Sequence, residues 1–141
     1  MPDWDQPELE AWLATLDAAV EAAPAAPVIV AHSLGCLAVA HWASRGGRAR
    51  AALLVAVPDP AGPLWPNEAG SFAAVPKAPL AFPSHVVASQ NDPYGGLAFA
   101  KDMAAAWGSA FTDVGALGHI NADSGLGDWP FGQQLLAGLR G

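Results

Sequence analysis

The chain has 141 residues, enough for one domain, residues 1–141, with a sizeable core. Hydrophobic residues make up 52% and charged residues 13%, which excludes a disordered chain. The formal net charge of −7 argues against nucleic acid or an anionic membrane as a partner, and no apolar run approaches the roughly 18 residues that cross a bilayer.

Asp5-Gln6-Pro7-Glu8 reads as a helix start, with Asp5 or Gln6 as the cap and Pro7 in the first turn. Leu9, Trp12, Leu13, Leu16 and Val20 follow at three- and four-residue spacing and give the helix one apolar face. Pro24 to Pro27 ends it and leads into a short buried strand, Val28-Ile29-Val30-Ala31. Ser33 and Gly35 come at once, then an apolar helical pattern to about Ser44 that the glycines Gly46-Gly47 terminate. Ala51 to Val57 reads as a second strand, apolar on both faces as in a parallel sheet. The Pro-rich segment Pro58–Pro66 follows that strand's end and is a candidate wall of a pocket. Asn67 to Ala74 has room for one or two helical turns. A third strand is expected at His85–Ser89, a helix at Gly96–Trp107 and a fourth strand at Ala110–Val114. A Gly-rich loop to Trp129 then precedes a last helix over Pro130–Leu139. Strands alternating with helices predict a three-layer α/β/α sandwich around a mostly parallel sheet.

Strand, serine-bearing turn and helix, in that order, make a nucleophile elbow, here Ala31-His32-Ser33-Leu34-Gly35. Such a turn lifts the Ser33 hydroxyl above the sheet and aims the Leu34 N–H, at the helix N-terminus, toward an oxyanion. Small residues at Ala31 and Gly35 are expected to let strand and helix approach. Serine by itself is also a favoured helix cap, so the reading depends on partners.

A serine hydroxyl needs a base, and the base is usually a histidine oriented by a carboxylate. Of four histidines, His32 should point away from Ser33 by strand alternation and serve packing or hydrogen bonding. His41 lies two turns into the helix, and His85 lies at the opposite end of the sheet. His119, in Gly118-His119-Ile120-Asn121 just past the fourth strand, is on the correct edge. For the acid, Asp92 in Asn91-Asp92-Pro93 is favoured over Asp59, because the order Ser33, Asp92, His119 is the one α/β-hydrolases use. Asp123 and Asp128 fall after the base.

These residues carry a resemblance. The chain resembles the retinoblastoma-binding-protein/YdeN-type serine hydrolases, a small α/β-hydrolase family, through Asp3-Trp4-Asp5-Gln6-Pro7, Val30-Ala31-His32-Ser33-Leu34-Gly35-Cys36 and Ala88-Ser89-Gln90-Asn91-Asp92-Pro93-Tyr94. Gly118-His119-Ile120-Asn121 and Ser124-Gly125-Leu126-Gly127-Asp128-Trp129-Pro130 extend it over nearly the whole chain. The resemblance implies Ser33 as nucleophile, Asp92 as orienting acid and His119 as base. It also implies a nearly lidless hydrolase of small esters or amides, without metal or cofactor. Family members usually carry a strand and a loop rich in Gly, His, Trp and Ser ahead of Asp-Trp-Asp, and that loop supplies a second oxyanion N–H. Here Asp-Trp-Asp follows Met1 almost directly, so an α/β-hydrolase-like sheet lacking its first strand is expected, with an uncovered edge open to self-association.

Three functions compete on this reading: a serine hydrolase, a catalytically weak or inactive interaction protein on the hydrolase fold, and an acyltransferase using the same three residues. The lone Cys36 cannot form an internal disulfide, and no charged segment precedes an apolar one at the N-terminus, so a cytoplasmic location is expected.

Overall fold

A strand without a polar residue on either face has to be covered on both, and Ala51–Val55 is buried at every position. The computed structural model describes residues 1–141 and covers that strand as the composition requires. In chain order the elements are α1 Leu9–Ala22, β1 Val28–His32, α2 Leu34–Ser44, β2 Ala51–Val55, β3 Ser84–Ala88, α3 Leu97–Trp107, β4 Ala110–Asp113 and α4 Pro130–Arg140. Short 3₁₀ turns occupy Asn67–Phe72 and Ala122–Ser124.

The sheet is parallel throughout, in the order β1-β2-β3-β4. Val28 stands opposite Ala51, Ala52 opposite Ser84, and His85 opposite Ala110. Because side chains alternate along a strand, Ala52, Leu54 and Val86 face a core built with α1, α2 and α3. Leu53, Val55 and Val87 face a smaller cluster closed by Leu135, Leu136 and Leu139 of α4. The chain is thus a three-layer α/β/α sandwich with three helices on one face and one on the other.

Several boundaries differ from the sequence expectation, each for a local reason. Glu8, and not Asp5 or Gln6, caps α1, its carboxylate accepting the Glu10 and Ala11 N–H groups. Gln6 is committed to a turn, with its N–H on the Asp3 carbonyl. Strand β2 stops at Val55 and not Val57, because Ala56 adopts a left-handed φ of 58° that ends the ladder. Strand β3 is shifted one residue toward the N-terminus, so Ser89 falls in the loop beyond it.

The N-terminal segment lies against the core: the Trp12 indole N–H donates to the Pro2 carbonyl at 2.7 Å, and Trp12 stacks edge-on between Trp4 and Phe72. At the other end of this layer, β1 forms an edge of the sheet. The Ser33 N–H reaches Val55 and the Pro27 carbonyl accepts from Arg50. The backbone groups of Val28, Val30 and His32, alternating with these, therefore face outward. Val30 is 55% exposed there, beside a groove of about 450 Å³ whose walls include Trp4, Trp12, Leu16 and Ile29. No helix is long and apolar enough to cross a membrane.

Candidate active site

The backbone at Ser33 departs from anything a helix cap needs. Its φ of 56° and ψ of −125° lie in a region that L-residues avoid, and its side chain makes no capping bond to α2. The strain is held by the elements on either side. Its N–H is tied to the Val55 carbonyl at 2.9 Å, its carbonyl accepts the Cys36 N–H, and α2 begins at the next residue. Leu34 is the first helical residue, so its N–H is one of the donors the helix cannot satisfy internally. The small residues matter less symmetrically than expected. A Cβ on Gly35 would sit 3.6 Å from that of Ala31, an ordinary contact, so the close packing here rests on Ala31 being small.

Strain of this kind frees the Ser33 hydroxyl for a partner, and the partner is His119. Its Nε2 lies 2.8 Å from Ser33 Oγ, across 86 residues of sequence. On the far side of the ring, Nδ1 lies 2.9 Å from both carboxylate oxygens of Asp92. With Nδ1–H donating to the carboxylate, Nε2 is left to accept the serine hydroxyl. Asp92 is 8% exposed and also accepts the Tyr94 N–H at 2.9 Å, so it builds its turn and orients the ring at once. Asp59 is occupied elsewhere, capping the Ala61 N–H. The structure thus brings Ser33, Asp92 and His119 together at the carboxyl ends of β1, β3 and β4. It does not bring Asp59, Asp123 or Asp128 to the ring.

The remaining histidines divide. His41 is buried and its Nε2 donates to the Phe72 carbonyl at 3.2 Å. His85 pairs with Thr112 Oγ1 at the opposite end of the sheet, where burial lowers its pKa. His32 does not point away from the site as strand alternation suggested. Its Nε2 lies 2.8 Å from the His119 carbonyl oxygen, and the two rings meet edge to face at 4.7 Å. Alternation did place it on the other face of the sheet from Ser33, but the loop carrying His119 crosses over that face. Cys36 is fully buried beneath the elbow, where desolvation pushes its thiol well above the ordinary range and leaves it unreactive.

Two further residues, which the sequence pattern does not single out, hold the backbone of the His119 loop in place. Ser89 Oγ accepts the Leu117 N–H at 2.9 Å, and Asn91 Oδ1 accepts the Gly118 N–H at 2.7 Å. The Ser89 hydroxyl donates to Asn91 in turn, so the β3 loop grips the backbone just ahead of His119. Ser33 and His119 open into a pocket of about 280 Å³ walled by Pro58, Trp65, Pro66 and Tyr94. The Pro-rich segment after β2 is therefore a wall of this pocket. No three His, Cys, Asp or Glu side chains stand close enough to hold a metal ion.

A model of the serine hydrolase family matches residues 1–138. The chain belongs to the serine hydrolase family. Among solved structures it is similar to a YdeN-like hydrolase from Pectobacterium atrosepticum, with 29% identity and a TM-score of 0.85 over 99% of this chain and 72% of that one. It is also similar to the ydeN gene product of B. subtilis, with 26% identity and a TM-score of 0.80 over 99% and 78% of the two chains. A thermophilic esterase shares the fold alone, at 10% identity and a TM-score of 0.73 over 94% of this chain and 74% of that one. No curated protein matches in sequence. In this serine hydrolase, elements far apart in the chain deliver one hydroxyl and one imidazole to a single pocket, with one buried carboxylate behind the imidazole, an arrangement suited to acyl transfer.

Proposed function

We propose that the chain cleaves small ester or amide substrates through an acyl-enzyme on Ser33. The observation that carries this reading is the continuous hydrogen-bonded path from Ser33 Oγ through His119 to Asp92, at 2.8 and 2.9 Å, on a strained elbow. Ser33 Oγ attacks the substrate carbonyl carbon while His119 Nε2 takes the hydroxyl proton. The carbonyl π electrons move onto oxygen, and the oxyanion lies near the Leu34 N–H at the start of α2. Collapse expels the leaving group, which takes the proton back from His119. Water then attacks the acyl-serine, with His119 again as base, and releases the acid. Asp92 keeps Nδ1–H in the tautomer this needs and stabilises the imidazolium.

A pocket of about 280 Å³ lies at the small end of ligand sites, which supports short acyl groups with an apolar or aromatic contact on Trp65 and Tyr94. A panel of p-nitrophenyl esters of rising chain length tests this. Turnover should peak at two to about four acyl carbons; a peak at eight or more would remove the small-substrate reading.

A second reading, a weak hydrolase that serves mainly as an interaction protein, is favoured by the open edge at β1 and by Leu34 as the one oxyanion donor the elbow itself supplies. A fluorophosphonate separates the two, because only an activated serine reacts. An acyltransferase would share the labelling and differ by using an added alcohol or amine in place of water. The acidic chain supports a small-molecule substrate over nucleic acid.

A further inference from the structure

We propose that His32 is a positioning residue for the reaction, holding the His119 backbone and ring in register with Ser33; the inference rests on the hydrolase reading of the site. A backbone carbonyl only accepts, so the 2.8 Å contact fixes His32 with a proton on Nε2, donating to the His119 carbonyl. On the side that precedes His119, Ser89 and Asn91 hold the N–H groups of Leu117 and Gly118. His32 supplies the matching hold on the side that follows. The need for one is plain in the backbone, since both Gly118 and Ile120 adopt left-handed φ, at 62° and 50°.

The ring is gripped as well. The His119 imidazole packs against both His32 and Tyr94, with centroid separations of 4.7 and 4.5 Å. His32 is also the residue bonded to Ser33, so a single side chain ties the elbow to the loop that carries the base. Without it, the His119 loop keeps its hold on the β3 loop and the packing of Ile120, but loses its one side-chain tie to the strand that carries Ser33. Displacing reacting groups by about an ångström can cost two orders of magnitude in rate.

The test compares His32→Leu, which cannot donate, with His32→Gln, whose amide reaches about as far as Nε2 and can. His32 is exposed, so neither change should lower the melting temperature much. The expected result, with p-nitrophenyl acetate, is a fall of about tenfold in kcat for His32→Leu, with KM changed less than about twofold and most of the rate kept by His32→Gln. Fluorophosphonate labelling rates should follow the same order. If His32→Leu fails to fold, His32→Asn, whose shorter amide cannot reach the carbonyl, takes its place against His32→Gln. Wild-type kcat in the non-donating variant, equal losses in both variants, or a loss carried by KM would each overturn the inference. Ser33→Ala in the same assay separates this failure from that of the reading beneath it. If Ser33→Ala retains turnover, the hydrolase assignment is wrong. If it is inactive while His32→Leu is normal, only the positioning role is wrong. A wild-type chain that neither turns over nor labels overturns both.

Discussion

The single residue that departs furthest from relaxed geometry at the site is also the one whose hydroxyl meets His119. Ser33 sits at φ 56°, where glycine is comfortable and serine is not. Such a conformation costs on the order of 1–3 kcal/mol and persists because neighbouring structure imposes it. Ser33→Gly should therefore raise stability, by about 1 kcal/mol, while removing all ester turnover. Chemical denaturation checks the first part; a destabilised Ser33→Gly would show that the turn is not strained. Asp92 makes a second prediction at this scale. Asp92→Asn keeps the turn to Tyr94 but supports the wrong His119 tautomer, so kcat should fall by about 10⁴ with little loss of folding. Asp59→Asn should be mild, because the Asp59 carboxylate serves only its own turn. The reverse ranking would reassign the acid. Pattern alone could place Ser33, Asp92 and His119 at strand ends, since order and turn residues carry that information. It could not show Ser89 and Asn91 gripping Leu117 and Gly118, because those bonds join residues 28 and 27 positions apart with no periodicity to reveal them.

At the scale of elements, the strands were readable to within a residue or two because β1, β2 and β3 are short apolar runs between proline, glycine and charged segments. The misses have physical causes. Ala56 carries no signal of its left-handed turn, and Glu8 is an unusual cap whose long side chain folds back on the helix it begins. His32 has the hydrogen-bonding role expected of it but turns it on the His119 loop, because alternation tells which face a side chain takes and not which distant loop covers it. Strand β1 carries the element-scale prediction. Its outer edge holds no charge, proline or bulge, the devices that usually keep strand edges from pairing. The chain should associate at high concentration through this edge. Val30→Lys, on an exposed position beside the groove, should shift light scattering toward monomer without changing the melting temperature. Identical scattering for the two proteins would place any association elsewhere.

At the scale of the whole molecule, two apolar clusters of unequal size clamp one parallel sheet, and the loops at its carboxyl edge assemble the site. The larger cluster fixes the elbow through α2, and the smaller one supports the His119 loop through Ile120 and Leu117. The supports of Ser33 and His119 thus lie on opposite faces of the sheet, and the two side chains meet at its carboxyl edge. The measurement that bears most directly on this account is mass-spectrometric mapping of a fluorophosphonate adduct on the intact chain. The adduct should lie on Ser33 alone, vanish in Ser33→Ala, and form far more slowly in His119→Ala, whose serine has lost its base. An adduct on another residue, or undiminished labelling in Ser33→Ala, would contradict the assignment of Ser33 as the reacting group.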